Sequence, residues 1–114
     1  MYNAYFDEGN LIEASSELIT PGIAYIRTTI NGDLIKEYAI EILKVYPLNE
    51  TRNILFKVTD KNLLDEAGGI VQGMSGSPII QNNKLVGAVT HVISDDTTKG
   101  FGIFIENMLK EIDN

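Results

Sequence analysis

Near the middle of the chain, Gly73-Met74-Ser75-Gly76-Ser77-Pro78 packs two glycines, two serines and a proline into six residues. Such a stretch suits a tight turn, and it also suits acyl-transfer chemistry. Glycine adopts positive φ and lets backbone come close, so a serine in this turn can be held with its hydroxyl exposed. Nearby backbone N–H groups then converge on one point, as an oxyanion hole requires. The candidate donors are the N–H groups of Gly73 and Ser75. Two readings stand: Ser75 is a nucleophile, or it is one small residue in a turn between strands. A serine hydroxyl is a poor nucleophile at neutral pH, and it needs a base that is itself oriented. The chain holds one histidine, His91, 16 residues after Ser75. His91 is either a substitute base or a strand histidine in a substrate groove. Strand geometry puts Thr90 and His91 on opposite faces, so at most one is expected to face the serine. Asp60 either caps a following helix or organises the site, and one residue can do both. Asp95 and Asp96 read as solvated loop charges.

The elements that must position these residues are mostly strands. IAYIRTTI (23–30) and LIKEYAIEILKVY (34–46) flank an Asn-Gly pair, a hairpin signal. PLNETRN (47–53) reads as a loop and ILFKVT (54–59) as a strand. DKNLLDEAGG changes period: Leu63, Leu64 and Ala67 suit one helix face, with Thr59 or Asp60 at its start and Gly68 just past its end. IVQ runs extended into the serine turn. SPIIQ and KLVGAVTHVI form a second hairpin about Asn82-Asn83, SDDTTKG (94–100) is a polar loop, FGIFI (101–105) is a strand, and ENMLKEI is a short C-terminal helix. The expected fold is mostly all-β: about six strands in a barrel or sandwich, with one internal helix and one terminal helix.

The 114 residues make a single domain, 1–114, with room for one core. Net charge is −7 and the basic residues are scattered, which argues against nucleic acid and against an anionic membrane surface. Without cysteine there is no disulfide, no cysteine nucleophile and no thiolate zinc site. A single histidine makes a metal centre unexpected, and no phosphate-cradling loop occurs, so no cofactor is expected. The apolar runs are too short to span a bilayer. The first residues, MYNAYFDEGN, have no signal-peptide pattern.

The G-x-S-x-G elbow of α/β-hydrolases fits poorly, because Ser77 stands at its last glycine and strands flank the turn on both sides. The trypsin-like pattern G-D-S-G-G-P is closer: Gly73, Ser75, Gly76 and Pro78 match, while Met74 and Ser77 depart. Over a longer span, GGIVQGMSGSPIIQNNKLVGAVTHV followed by DDTTKGFGIFIENML resembles the end of the SpoIVB peptidase domain, a sporulation serine peptidase family. PGIAYIRTTINGD and VTDKNLL resemble its preceding strands, so the similarity runs from about residue 6 to residue 110. The resemblance implies a trypsin-like fold, of which this chain is the second six-stranded barrel with its C-terminal helix. It implies a serine endopeptidase cutting a protein substrate between the two membranes of a sporulating cell, with Ser75 as nucleophile. It also implies that the family's essential acid falls on Asp60. Thr90, His91 and Val92 would pair with an extended peptide substrate, and residues 70–73 would form one wall of a specificity pocket. The family's catalytic histidine lies upstream, in a glycine-histidine segment that this sequence does not contain. The chain thus resembles the C-terminal half of a catalytic domain. The alternative function is an inactive peptide-binding or complementing module, for which self-association, or pairing with a missing N-terminal half, is expected.

Overall fold

The structure, a computed structural model, describes residues 4–7, 10–28, 35–70, 74–93 and 95–113. The elements run β1 (Ala4–Asp7), β2 (Asn10–Ala14), β3 (Gly22–Thr28), β4 (Lys36–Val45), β5 (Ile54–Val58), α1 (Lys61–Ala67), β6 (Pro78–Gln81), β7 (Lys84–Ile93), β8 (Asp96–Phe104) and α2 (Ile105–Asp113). Six of the strands close on themselves. Antiparallel pairing passes from β3 to β4, β5, β8, β7 and β6, and β6 returns to β3 through Tyr25↔Ile80 and Ile26↔Ile79. This is the expected six-stranded barrel with two short helices, consistent with one half of a trypsin-like fold.

Period-two alternation fills the barrel. Ala24, Ile26 and Thr28 of β3, Tyr38, Ile40 and Ile42 of β4, and Ile54, Phe56 and Val58 of β5 are buried. Their strand neighbours face outward, where register partners form the ion pairs Arg27–Glu37 (2.8 Å) and Lys57–Glu41 (3.6 Å). β7 is buried over a longer run, Leu85 to Val89, because it is covered on two sides. Val86 and Val89 join the barrel core, while Leu85, with Ile80 and Ala14, packs outside against Ile105, Met108 and Leu109 of α2. The C-terminal helix is therefore a lid on the β6–β7 face. The β6–β7 turn is Asn82-Asn83 as expected, both with positive φ (52° and 62°), the pairing geometry of a two-residue hairpin.

Two expectations need correction. The N-terminal hairpin β1–β2 adds to the six strands; it joins β7 in parallel at Glu13↔Lys84 and Ala14↔Leu85. Its strands are short, and the join to β7 spans about 70 residues of sequence, so it is not readable locally. The segment expected as a loop at 94–100 is strand from Asp96 onward. There Lys99 and Gly100 pair with Lys57 and Phe56 of β5, so partner strands override the polar composition. The expected Asn31-Gly32 turn lies outside the described residues.

Candidate active site

The serine turn is pinned to β7 from both sides of its backbone. Gly76 N–H donates to the Val89 carbonyl (2.7 Å), and Val89 N–H donates to the Ser77 carbonyl (2.9 Å). Within the turn, Ser77 N–H donates to the Met74 carbonyl (3.0 Å). Gly76 sits at φ 91°, a conformation costly for any residue with a Cβ. Met74 is the anchor, its side chain 1% exposed in the barrel core. The two serines have different surroundings. Ser77 Oγ donates to Thr28 Oγ1 at 3.0 Å and ties the turn to β3. Ser75 is exposed, and its hydroxyl makes no hydrogen bond among the described residues.

Ser75 opens onto a cleft of about 570 Å³ that Gly76, Val89, Thr90, His91 and Met108 also line. Ser75, Thr90 and His91, singled out from sequence, are therefore brought together. Val92 is half-buried and packs against the barrel core. Gly73, the second candidate oxyanion donor, lies outside the described residues, as do residues 71 and 72.

Thr90 and His91 are not on opposite faces as expected. Val89 pairs with Gly102 and His91 with Phe101, so Thr90 is an extra residue in β7, a β-bulge. A bulge re-aims the side chains beside it. Here it brings His91 Nδ1 to 2.9 Å from Thr90 Oγ1, and Thr90 Oγ1 in turn lies 3.2 Å from the Phe101 carbonyl, to which it donates. Periodicity does not reveal this, because the bulge arises from pairing with β8.

On the other edge of β7 the sheet ends here. β6 pairs with β7 only from Lys84 to Ala88, and Val89 bonds the serine turn. From Thr90 onward, the edge of β7 away from β8 has no strand partner among the described residues.

Asp60 caps α1: its Oδ1 accepts from the N–H groups of Asn62 (2.9 Å) and Leu63 (3.3 Å). The other oxygen, Oδ2, accepts from Ala39 N–H of β4 at 3.1 Å. Gly68 closes α1 with φ 74° as expected. Asp60 is not among the residues lining the Ser75 cleft. The helix it caps buries Leu63, and just beyond α1 the Ile70 N–H donates to the Thr97 carbonyl at 2.7 Å. Nearby, burial raises the Tyr38 phenol above its ordinary pKa, with Glu66 and Asp60 adding to the effect. Asp96 is held below the usual carboxylate range, chiefly by the Thr98 hydroxyl, then by the Thr98 N–H.

Sequence reasoning missed Asn53, which lay inside an expected loop. It is fully buried. Its Nδ2 donates to the carbonyls of Tyr46 (3.0 Å) and Asn49 (2.6 Å), and its Oδ1 accepts from Phe104 N–H (2.8 Å) and Asn107 Nδ2 (3.2 Å). It thus ties the loop holding Thr51 to the start of α2, both of which wall the cleft. Among the described residues no three His, Asp or Glu side chains converge as a metal site would require. Nor is any described helix long and apolar enough to cross a membrane.

Compared with known proteins, the chain matches one family model, described as SpoIVB peptidase S55, over residues 2–109. No curated protein and no solved structure matches it.

Proposed function

The chain belongs to the SpoIVB peptidase family, and from that premise we propose that it is a serine endopeptidase domain with Ser75 as its nucleophile. One observation carries the reading: Ser75 is an exposed residue of a turn pinned to β7, its hydroxyl engaged by no described residue, in the same cleft as the only histidine of the sequence. The Ser75 N–H, with that of Gly73, would receive the oxyanion. An extended peptide would add to the open edge of β7 at Thr90, His91 and Val92, the β-augmentation mode of peptide recognition. The family name supports a role in sporulation, with a protein substrate in the space between the forespore membranes.

A fluorophosphonate probe tests the reading, because an activated serine displaces its fluoride and is phosphonylated, whereas an ordinary serine is not. Purified protein is expected to label, and Ser75→Ala to abolish the label. Folded protein that stays unlabelled would instead fit the alternative, a module that binds peptides along β7 without cleaving them.

Asp60 serves the site as a positioning residue in this reading, holding α1 and the chain that leads to the turn. Losing the cap costs about 1 kcal/mol, and Ala39 N–H loses its partner as well, so Asp60→Ala is expected to cost about 2 kcal/mol in urea unfolding. Asparagine caps helices about as well as aspartate. The Asn amide keeps one acceptor for the cap but sets its NH2 against Ala39 N–H, so Asp60→Asn is expected to cost about 1–2 kcal/mol in urea unfolding. The folded variant is still expected to keep most of the labelling rate, which an acid acting through its charge would lose.

A further inference from the structure

We propose that Arg52 is a specificity residue of the cleft and that it reads an acidic side chain of the peptide substrate. The proposal rests on the peptidase reading above and names the class of substrate that reading leaves open. The chain has two arginines. Arg27 is tied to Glu37 across β3 and β4. Arg52 is exposed, and its guanidinium makes neither an ion pair nor a hydrogen bond with a described residue. It lies instead over the Phe101 ring, 5.6 Å from the centroid. Such stacking holds the flat guanidinium by one face and leaves its N–H edge for a planar acceptor. A carboxylate fits that edge with two parallel hydrogen bonds.

The sheet joins Arg52 to the cleft of Ser75. Successive strand residues face opposite ways. A Cβ on Gly100 or on Gly102 would meet Phe56 or Ile79 of the core, so Phe101 between them points outward. His91 is its partner on β7, and paired residues share a face. His91 lines the cleft, as do Ile103 and Thr51, the residue before Arg52. The outer face of the β7–β8 seam thus runs from the cleft, past His91, to the ring that carries Arg52. No acidic side chain is among those lining the cleft, so none there competes for the guanidinium. The backbone of Arg52 is fixed as well: its N–H donates to Asn49 Oδ1 at 2.9 Å, and the next residue is the buried Asn53.

A peptide added to the open edge of β7 lies one strand beyond it. Strands stand about 5 Å apart, so the peptide runs about 10 Å from β8. A glutamate reaching from the peptide and Arg52 reaching from the other side meet over His91. Antiparallel addition puts the N-terminal side of the scissile bond along Thr90 to Val92, because these residues lead away from the serine turn at Val89. The acidic residue therefore precedes the bond. Alternate peptide residues share the outer face with His91, so only every second position points toward Arg52. The net charge of −7 opposes acidic peptides at long range, so the preference is local to such a position.

Tetrapeptide phosphonates carrying glutamate, glutamine or lysine in turn at each of the three positions before the reacting residue test this. A simple alkyl fluorophosphonate gives the reference rate for Ser75 itself. Relative to that reference, glutamate at one of the positions is expected to speed labelling roughly fivefold over glutamine, the upper end for an exposed ion pair, and more over lysine. Arg52→Gln is expected to remove the preference, and Arg52→Glu to reverse it in favour of lysine. Circular dichroism checks that each variant is folded. Labelling with no glutamate preference at any position overturns this inference and leaves the peptidase reading standing; so does a preference that survives Arg52→Gln. Wild-type protein that reacts with no probe overturns the peptidase reading, and binding then decides the role of Arg52. Its Nε–H signal in ¹H–¹⁵N spectra is expected to move more with an acetylated glutamate tetrapeptide than with the lysine counterpart, and an equal response to the two overturns the inference.

Discussion

Asn53→Ala is expected to destabilise the domain by about 3 kcal/mol, a large share of the ~5–15 kcal/mol that holds a typical domain together. The side chain is fully buried and serves both as donor and as acceptor. Truncation strands the Phe104 N–H and the carbonyls of Tyr46 and Asn49, and a buried polar group without its partner costs ~1–3 kcal/mol. The carbonyls lie near an exposed loop and recover part of their loss through water, which keeps the total near the lower end of the sum. Urea unfolding measures it, and a loss below about 1 kcal/mol would mean that water replaces the side chain fully. Asn53→Asp separates hydrogen bonding from packing. A carboxylate still accepts from Phe104 but faces two carbonyl oxygens with no donor. The folded state then favours the protonated acid, so its pKa is raised above the unfolded value. Stability of this variant is expected to be greatest at acid pH and to fall as pH rises through the folded-state pKa. The functional consequence follows from what Asn53 ties together. Thr51 and Met108 line the cleft, and Asn53 joins the loop of the first to the helix of the second. Labelling of Ser75 in folded Asn53→Ala is therefore expected to slow as well, through a looser cleft wall.

Runs rich in β-branched and aromatic residues, bounded by turn residues, made the strands legible, and the structure buries one face of each, Ala24, Ile26 and Thr28 on β3 and Tyr38, Ile40 and Ile42 on β4. Local turn chemistry was legible for the same reason, since Asn82-Asn83 and Gly68 carry their conformations in their own residue types. What stayed hidden depends on partners distant in sequence. Asp96–Lys99 is polar enough to read as loop and becomes strand because Lys99 pairs with β5 and Asp96 with Ile93 of β7. Asn53 reads as a turn residue until Phe104 and Asn107 come to it. The same holds at the cleft. The serine turn could be found in GMSGSP, but the relation between Thr90 and His91 could not, because strand period predicts opposite faces and a bulge against β8 reverses it. Composition thus located the nucleophile candidate, while tertiary register determines what stands beside it.

That register depends on how closely β7 and β8 approach, which leads to the second large effect. Gly87→Ala is expected to cost about 3 kcal/mol, the upper end of what overpacking usually costs. A Cβ at Gly87 would stand 2.2 Å from the Ile103 carbonyl oxygen and 3.0 Å from Ile54 Cδ1. The side chain of Ile54 can turn aside, but the oxygen belongs to the backbone of the neighbouring strand, so β8 itself must move. Glycine within a strand marks such close approach. The same seam continues from Gly87↔Phe104 through Val89↔Gly102 to the bulge, where Thr90 reaches the Phe101 carbonyl. Moving β8 away at one end of the seam stretches that 3.2 Å contact at the other. Gly87→Ala is therefore expected to lower stability in urea unfolding and also to shift the His91 ring signals in ¹H–¹⁵N spectra, although the substitution touches neither Thr90 nor His91. Unchanged His91 ring signals in a destabilised Gly87→Ala protein would show that the bulge holds its own geometry, independent of strand spacing three residues away. A shift in both would show that the spacing of one pair of strands sets the barrel's stability and the geometry of the bulge at the cleft together.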